Sequence, residues 1–321
     1  MPLDNRIDNQ AKGEAKFVRA EQEHPLEQER PADKRESMFI IEDPKYHFSD
    51  MILNSDTYDA IQDILTLYQK RELIFETWGL SATHKQSGQV GINLYGPSGT
   101  GKTMAAHAIA HQLGKQLLQI DYSQIESKYV GETAKNLTAA FRYAKENDVV
   151  LFFDEADALL SKRVTNMSNS TDVSVNQTRS VLLMLINEYT GLILFATNFI
   201  ANYDPAFMRR MLAHVKFDYP GEENRQKLWK LYIPESLPTD ADILILSEKY
   251  QDITGSDISN AVLAAALRAA RNNDPVIKHA YFEEAIERII QSKAENQGIS
   301  YTKRVVDEDY VKSQFGGELP K

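Results

Sequence analysis

Eight consecutive residues, Gly96-Pro97-Ser98-Gly99-Thr100-Gly101-Lys102-Thr103, restrict the possible folds more than any other stretch of the chain. Gly96, Gly99 and Gly101 allow the backbone to turn tightly, so that its N–H groups converge on an anion. The preceding run Gly91-Ile92-Asn93-Leu94-Tyr95 reads as a strand. Met104 to Leu113 has helical spacing and good helix formers, so the anion would also sit at a helix N-terminus. In this pattern Lys102 places a positive charge on the β/γ-phosphates and the Thr103 hydroxyl can ligand Mg²⁺. Gly96, Pro97, Ser98, Gly99, Thr100, Gly101, Lys102, Thr103 and Met104 are therefore the expected contacts of a nucleotide.

Apolar runs recur after the loop with helical stretches between them. Ile92–Tyr95, Leu117–Asp121, Val149–Phe153, Leu192–Thr197 and Val215–Asp218 read as strands. Thr103–Leu113, Thr133–Lys145 and Val175–Tyr189 read as helices. Strands alternating with helices predict an α/β fold, a five-stranded parallel sheet covered on both faces. Upstream, Tyr58 to Leu73 places Ile61, Ile64, Leu65, Leu67 and Tyr68 on one helical face. After Pro220-Gly221 the strand signals stop. Glu222–Tyr232, Asp257–Arg271 and His279–Gln291 then predict a small all-helical lid. The expected organisation is a charged N-terminal arm at 1–45, a large α/β domain at 46–220, the lid at 221–295 and a tail at 296–321. The arm is either flexible or orders on a partner, being too polar to bury much surface. Met38-Phe39-Ile40-Ile41 reads as a short strand or a docking segment.

Composition narrows the function classes. A formal net charge of −10 argues against a dedicated nucleic-acid binder, which needs a broad basic face. The absence of cysteine excludes disulfides, thiolate metal sites and a cysteine nucleophile, and fits a cytoplasmic protein. No apolar run approaches the roughly 20 residues of a membrane span, and the first residues lack the layout of a secretion signal.

Two strand ends carry further chemistry. Leu151-Phe152-Phe153 runs into Asp154 and Glu155, which at the C-terminal edge of a parallel strand would face the ligand. Asp154 is the candidate for the Mg²⁺ shell, and Glu155 for orienting and polarising the water that attacks the γ-phosphate. Leu192 to Thr197 ends in Asn198, placed to hydrogen-bond the γ-phosphate or that water.

Phosphate loop, Asp-Glu strand, Asn-ended strand and the run Asp204-Pro205-Ala206-Phe207-Met208-Arg209-Arg210, in this order, resemble the AAA+ ATPases of the protein-remodelling branch over residues 47–292. The resemblance implies ATP and Mg²⁺ as cofactors, a ring that is usually hexameric, and a nucleotide between neighbouring subunits. It implies that Asn198 is the first sensor, and that Arg210, or failing it Arg209, reaches the neighbour's γ-phosphate. It also implies that Lys128, Tyr129 and Val130 project into a central channel and grip a client chain. Arg163 to Gln177 would be a second channel loop or a plain connector. Phe48 to Ile52 resembles the adenine-contacting segment, and Gly255 and Ser256 the lid's contribution to adenine and ribose.

Two departures stand out. Relatives often carry a second arginine three residues after the finger, where this chain has Ala213 followed by His214. In the lid, Ser256 or Asp257 occupies the region where many relatives place a sensing arginine. One ATPase module behind a short N-terminal extension resembles bacterial relatives of the pachytene-checkpoint ATPases, which act on HORMA-domain proteins and accompany antiphage systems. The alternatives are an ATPase of a contractile injection system, an ATP-gated scaffold, or, less favoured, a nucleic-acid motor or loader.

Overall fold

Why the strands read as unbroken apolar runs is visible in how they pack. In the computed structural model, which describes residues 39–84, 90–121, 132–161, 170–198 and 203–296, alternate residues of each central strand enter two separate cores. From β4 (Val150–Asp154), Leu151 and Phe153 pack on one face and Val150 and Phe152 on the other. β5 (Leu192–Thr197) does the same with Ile193 and Phe195 against Leu192, Leu194 and Ala196. A strand buried on both faces has no polar side to show.

The sheet is six-stranded, in the order β1-β3-β4-β5-β2-β6. Here β1 is Ile41–Glu42, β2 Val90–Tyr95, β3 Leu117–Asp121 and β6 Ala213–Lys216. Five strands are parallel, as expected. The sixth, β1, pairs antiparallel with β3 at the edge, Ile41 opposite Leu118. Five strands were therefore one too few. Of the arm assigned to 1–45, residues 1–38 lie outside the described residues, whereas Phe39 is buried against the ring of Tyr143 and carries the chain into β1.

Helices α1 (Ser55–Gln69) and α2 (Lys102–Gln112) cover one face through Ile61, Ile64, Leu65, Ala105, Ala106 and Ile109. Helices α3 (Glu132–Glu146) and α5 (Ser170–Glu188) cover the other through Leu137, Phe141, Leu182 and Ile186. There Phe153 stacks on Phe195 with ring centroids 5.2 Å apart. Two four-residue helices, α4 (Asp157–Leu160) and α6 (Pro205–Met208), follow strand ends. The helical region comprises α7 (Glu222–Tyr232), α8 (Ile243–Lys249), α9 (Gly255–Asn272) and α10 (His279–Asn296). It has its own core around Trp229, Ile258 and Phe282.

The segment between β1 and α1 is held against the back of α2. Tyr46 sets its ring edge-on to His107, and the Lys45 N–H donates to His107 Nδ1 at 3.4 Å. His107 is 2% exposed. Burial first, and Lys45 second, lower its pKa below the ordinary 6.5, against opposing pulls from Glu42 and Asp154. The unfolded chain therefore takes up this proton first as pH falls. The stability His107 contributes is complete above about pH 6.5 and is lost as the pH drops toward the folded pKa. The thermal midpoint should fall between pH 7 and 5, and His107→Gln should remove part of that fall. Identical pH profiles for the two proteins would contradict the assignment.

Candidate functional site

The phosphate loop leaves β2 after Tyr95 and enters α2 at Lys102, on the C-terminal edge of the sheet. Its glycines are required by shape. Gly96, at φ 148°, lies so close to β6 that a Cβ would sit 1.9 Å from the Phe217 carbonyl oxygen. Gly99, at φ 81°, packs on the lid, where a Cβ would meet Thr254 Oγ1 at 2.7 Å. The loop thus touches α9 directly, and the Ser256 N–H donates to the Gly99 carbonyl at 3.4 Å.

Lys102 is 8% exposed. Its ammonium donates to the carbonyls of Gly96 and Pro97 at 2.8 and 2.9 Å and to Asn198 Oδ1 at 3.1 Å. Burial pulls its pKa down to about 8, partly offset by the carboxylates of Asp154 and Asp157. A largely buried cation at the start of α2, now donating to loop carbonyls, is a receptor for phosphate oxygens that can replace them. Thr103 donates its hydroxyl to Asp154 Oδ2 at 2.9 Å. One hydroxyl and one carboxylate side by side suit Mg²⁺, which binds one or two protein oxygens and takes the rest of its shell from phosphates and water. Among the described residues no group of three or more His, Cys, Asp or Glu could hold a metal alone, so Thr103 and Asp154 would hold Mg²⁺ only together with a bound phosphate.

Glu155 has φ 49°, a left-handed conformation that costs a non-glycine residue about 1–2 kcal/mol. The turn is held by its own N–H donating to Asp154 Oδ1 at 2.9 Å, and it leaves Glu155 exposed on the wall of the cleft. Glu155, Asp154, Asn198 and the loop from Ser98 to Met104 line one cleft of about 320 Å³. Its other end is apolar, walled by Met51, Ile52 and Leu53 on one side and by Leu228, Leu231 and Tyr232 of α7 on the other, with Gly255 and Ser256 between lid and loop. Phosphate chemistry together with apolar side chains from 51–53 and α7 suits a nucleotide.

The two arginines lie elsewhere. Arg210 donates from Nε to Asn187 Oδ1 at 2.8 Å and from Nη1 to the Ala206 carbonyl at 2.9 Å; Arg209 is exposed. The Arg210 carbonyl lies 3.6 Å from where a Gly91 Cβ would be, beside the start of β2. The phosphate loop leaves from the far end of that strand, about 13 Å further along at 3.3 Å per residue. Lys128, Tyr129 and Val130 lie outside the described residues, as do residues 163–169 of the expected second channel loop, Arg163 to Gln177, whose remainder is not loop but the first turns of α5.

Three contributors were missed in the sequence. Asn54 accepts from the Gly221 N–H at 3.2 Å and from Asn224 Nδ2 at 2.9 Å, and donates to the Tyr219 carbonyl, stapling the 51–54 wall to the root of the lid. Asp257, noted only as a replacement for a cation, caps α9 with Thr254 and pairs with Lys293 of α10. Asp157 sits behind Asn198 and is treated below. Asn54 had no sequence signal, because its partners lie more than 160 positions away. The Thr254-x-x-Asp257 spacing is a helix-start pattern and was legible.

A phosphate loop at the C-terminal edge of a parallel sheet, a strand two places along, beyond β5, ending in Asp154-Glu155, and a helical lid closing the cleft define a P-loop nucleotide-hydrolysing module. Comparison with known proteins narrows the class. Residues 92–219 match the ATPase family associated with various cellular activities, AAA. The chain is 30% identical to a proteasome-activating nucleotidase of Sulfurisphaera tokodaii over 284 residues, 86% of this chain and 69% of that protein. It is 29% identical to the 26S proteasome regulatory subunit 6A of Saccharomyces cerevisiae over 81% of this chain and 60% of that one. It is 32% identical to protein CdcH of Halobacterium salinarum over 71% of this chain and 31% of that one. The chain belongs to the AAA ATPase family, and ATP hydrolysis is the activity that membership indicates. It spans less than two thirds of the length of the latter two relatives, and the whole-protein roles in these names are those proteins' own.

Proposed function

We propose that the chain is an ATP-driven protein remodeller working as a ring, usually of six copies, in the cytoplasm. The observation that carries this is the placement of Arg210. It lies beside the wrong end of β2 for its own cleft, yet its guanidinium is anchored as a presented side chain would be. A neighbouring copy's γ-phosphate is the group such an arginine would serve. Within one copy, Lys102 and the loop N–H groups bind the phosphates, and Thr103 and Asp154 would hold Mg²⁺, which neutralises phosphate charge when bound. Asn198 orients the γ-phosphate or the water, and Glu155 accepts that water's proton as it attacks. Among the described residues no helix is long and apolar enough to cross a membrane.

The remodelling step rests on the resemblance around Tyr129 and on relatives whose names tie them to proteasome activation. An aromatic offers large contact area at low entropy cost and needs no particular partner sequence. Tyr129→Ala should therefore abolish remodelling of a client while basal ATP hydrolysis stays within about twofold. Unaltered remodelling by that variant would favour an ATP-gated scaffold.

For the client, the proposal from the resemblance is a HORMA-domain protein in antiphage signalling, while the names of the relatives point toward work with a proteasome. A pull-down with the Glu155→Gln protein, which should hold its client, separates the two.

A further inference from the structure

Asp157 is absent from the walls of the cleft, yet it is aimed at a residue that forms one of them. Both of its carboxylate oxygens accept from the backbone N–H of Asn198, at 3.1 and 3.0 Å. The side chain of Asn198 in turn accepts from Lys102 Nζ at 3.1 Å. Asn198 closes β5, just past the last residue of regular pairing. The Gly96 N–H holds the carbonyl side of its peptide, donating to the Thr197 oxygen at 3.2 Å, and the carboxylate of Asp157 holds its N–H side.

The support behind that carboxylate is rigid. Asp157 opens α4. Just before the helix, the Ala156 N–H donates to the Ala196 carbonyl of β5 at 2.9 Å. At its far end the Leu160 carbonyl accepts from the Asp204 N–H at 3.0 Å, and Ser161 forms a bridge with Tyr203. A four-residue helix pinned at both ends gives the carboxylate a fixed origin. One residue after Glu155, the same pinning also ties the candidate base to the strand that carries Asn198.

We propose that Asp157 is a positioning residue for hydrolysis, setting the Asn198 peptide so that its amide side chain and the Lys102 ammonium meet the terminal phosphate in register. This rests on the ATPase reading of the site. An ionised acceptor holding one N–H with two oxygens is stronger than a neutral acceptor. Small displacements of a positioned group can cost about a hundredfold in rate.

The test is a double-mutant cycle on the full-length protein, with kcat, KM for ATP and the Kd of a fluorescent ATP analogue measured for each variant. Asp157→Ala should lower kcat about ten- to a hundredfold while KM and Kd stay within about threefold. Asp157→Asn keeps the shape and one acceptor oxygen, so it should lose less; it carries the test if the alanine variant does not fold. Because Asp157 acts through Asn198, the Asp157→Ala/Asn198→Ala protein should be no slower than Asn198→Ala within about twofold. Losses that multiply in the double variant, or a loss confined to nucleotide affinity, overturn the role of Asp157 alone. A wild-type protein that hydrolyses no ATP overturns both this role and the reading of the site.

Discussion

Arg210→Ala should lower ATP turnover about a thousandfold or more while each copy still binds ATP with near-native affinity. The size follows from what an arginine does there. In the proposed role it would stabilise charge that develops on the transferring phosphoryl group, so its effect would fall on kcat rather than on ground-state binding. The sparing of affinity follows from geometry, since Arg210 lies beside the start of β2 and takes no part in its own cleft. Stability should change little. The residue is partly exposed, and its bonds to Asn187 and the Ala206 carbonyl lie at the surface. Steady-state turnover and equilibrium nucleotide binding, measured on the same preparation, decide it. A parallel loss of affinity would place Arg210 in its own subunit's site. Arg209→Ala, at the exposed neighbouring position, should have the smaller effect.

Glu155→Gln should reduce turnover by about a hundred- to ten-thousandfold with nucleotide affinity intact. The amide keeps the length and the hydrogen-bonding reach of the side chain but cannot take a proton from the attacking water. The left-handed backbone at this position is set by the Asp154 carboxylate and the strand-to-helix turn, neither of which the substitution touches. The variant should fold normally and accumulate in the ATP-bound form, with unhydrolysed ATP recovered after denaturation. ATP hydrolysis at the wild-type rate would remove Glu155 from the role of base.

What was legible in the sequence was local or doubly buried. The phosphate loop is contiguous, and its glycines are demanded by contacts no side chain could share, such as Gly96 against Phe217. The central strands showed as apolar runs because α1 and α2 cover one face and α3 and α5 the other. Short elements escaped. β1 spans two residues, too few for any alternation to register. α4 and α6 are single turns, α4 without a side-chain cap and α6 started by its own Asp204 cap and Pro205. α8 lies between the helices expected in this region, and it starts where Asp242 accepts from the N–H groups of Leu244 and Ile245. The arginines were singled out by motif, and where they lie along the sheet depends on β6 pairing with β2, a strand order that spacing alone does not fix. Asn54 and Asp157 act through partners that only the fold brings near.

The central claim is that a working site needs two copies, one giving the cleft and the next giving Arg210. Lys102→Ala removes nucleotide binding but keeps Arg210, while Arg210→Ala keeps the cleft, so each protein alone should be inactive. Mixed in equal amounts and allowed to exchange, they should recover about a quarter of wild-type turnover, the fraction of random interfaces that join an intact cleft to an intact arginine. A mixture as inactive as its two components, with mixed assemblies shown to form, would contradict the account.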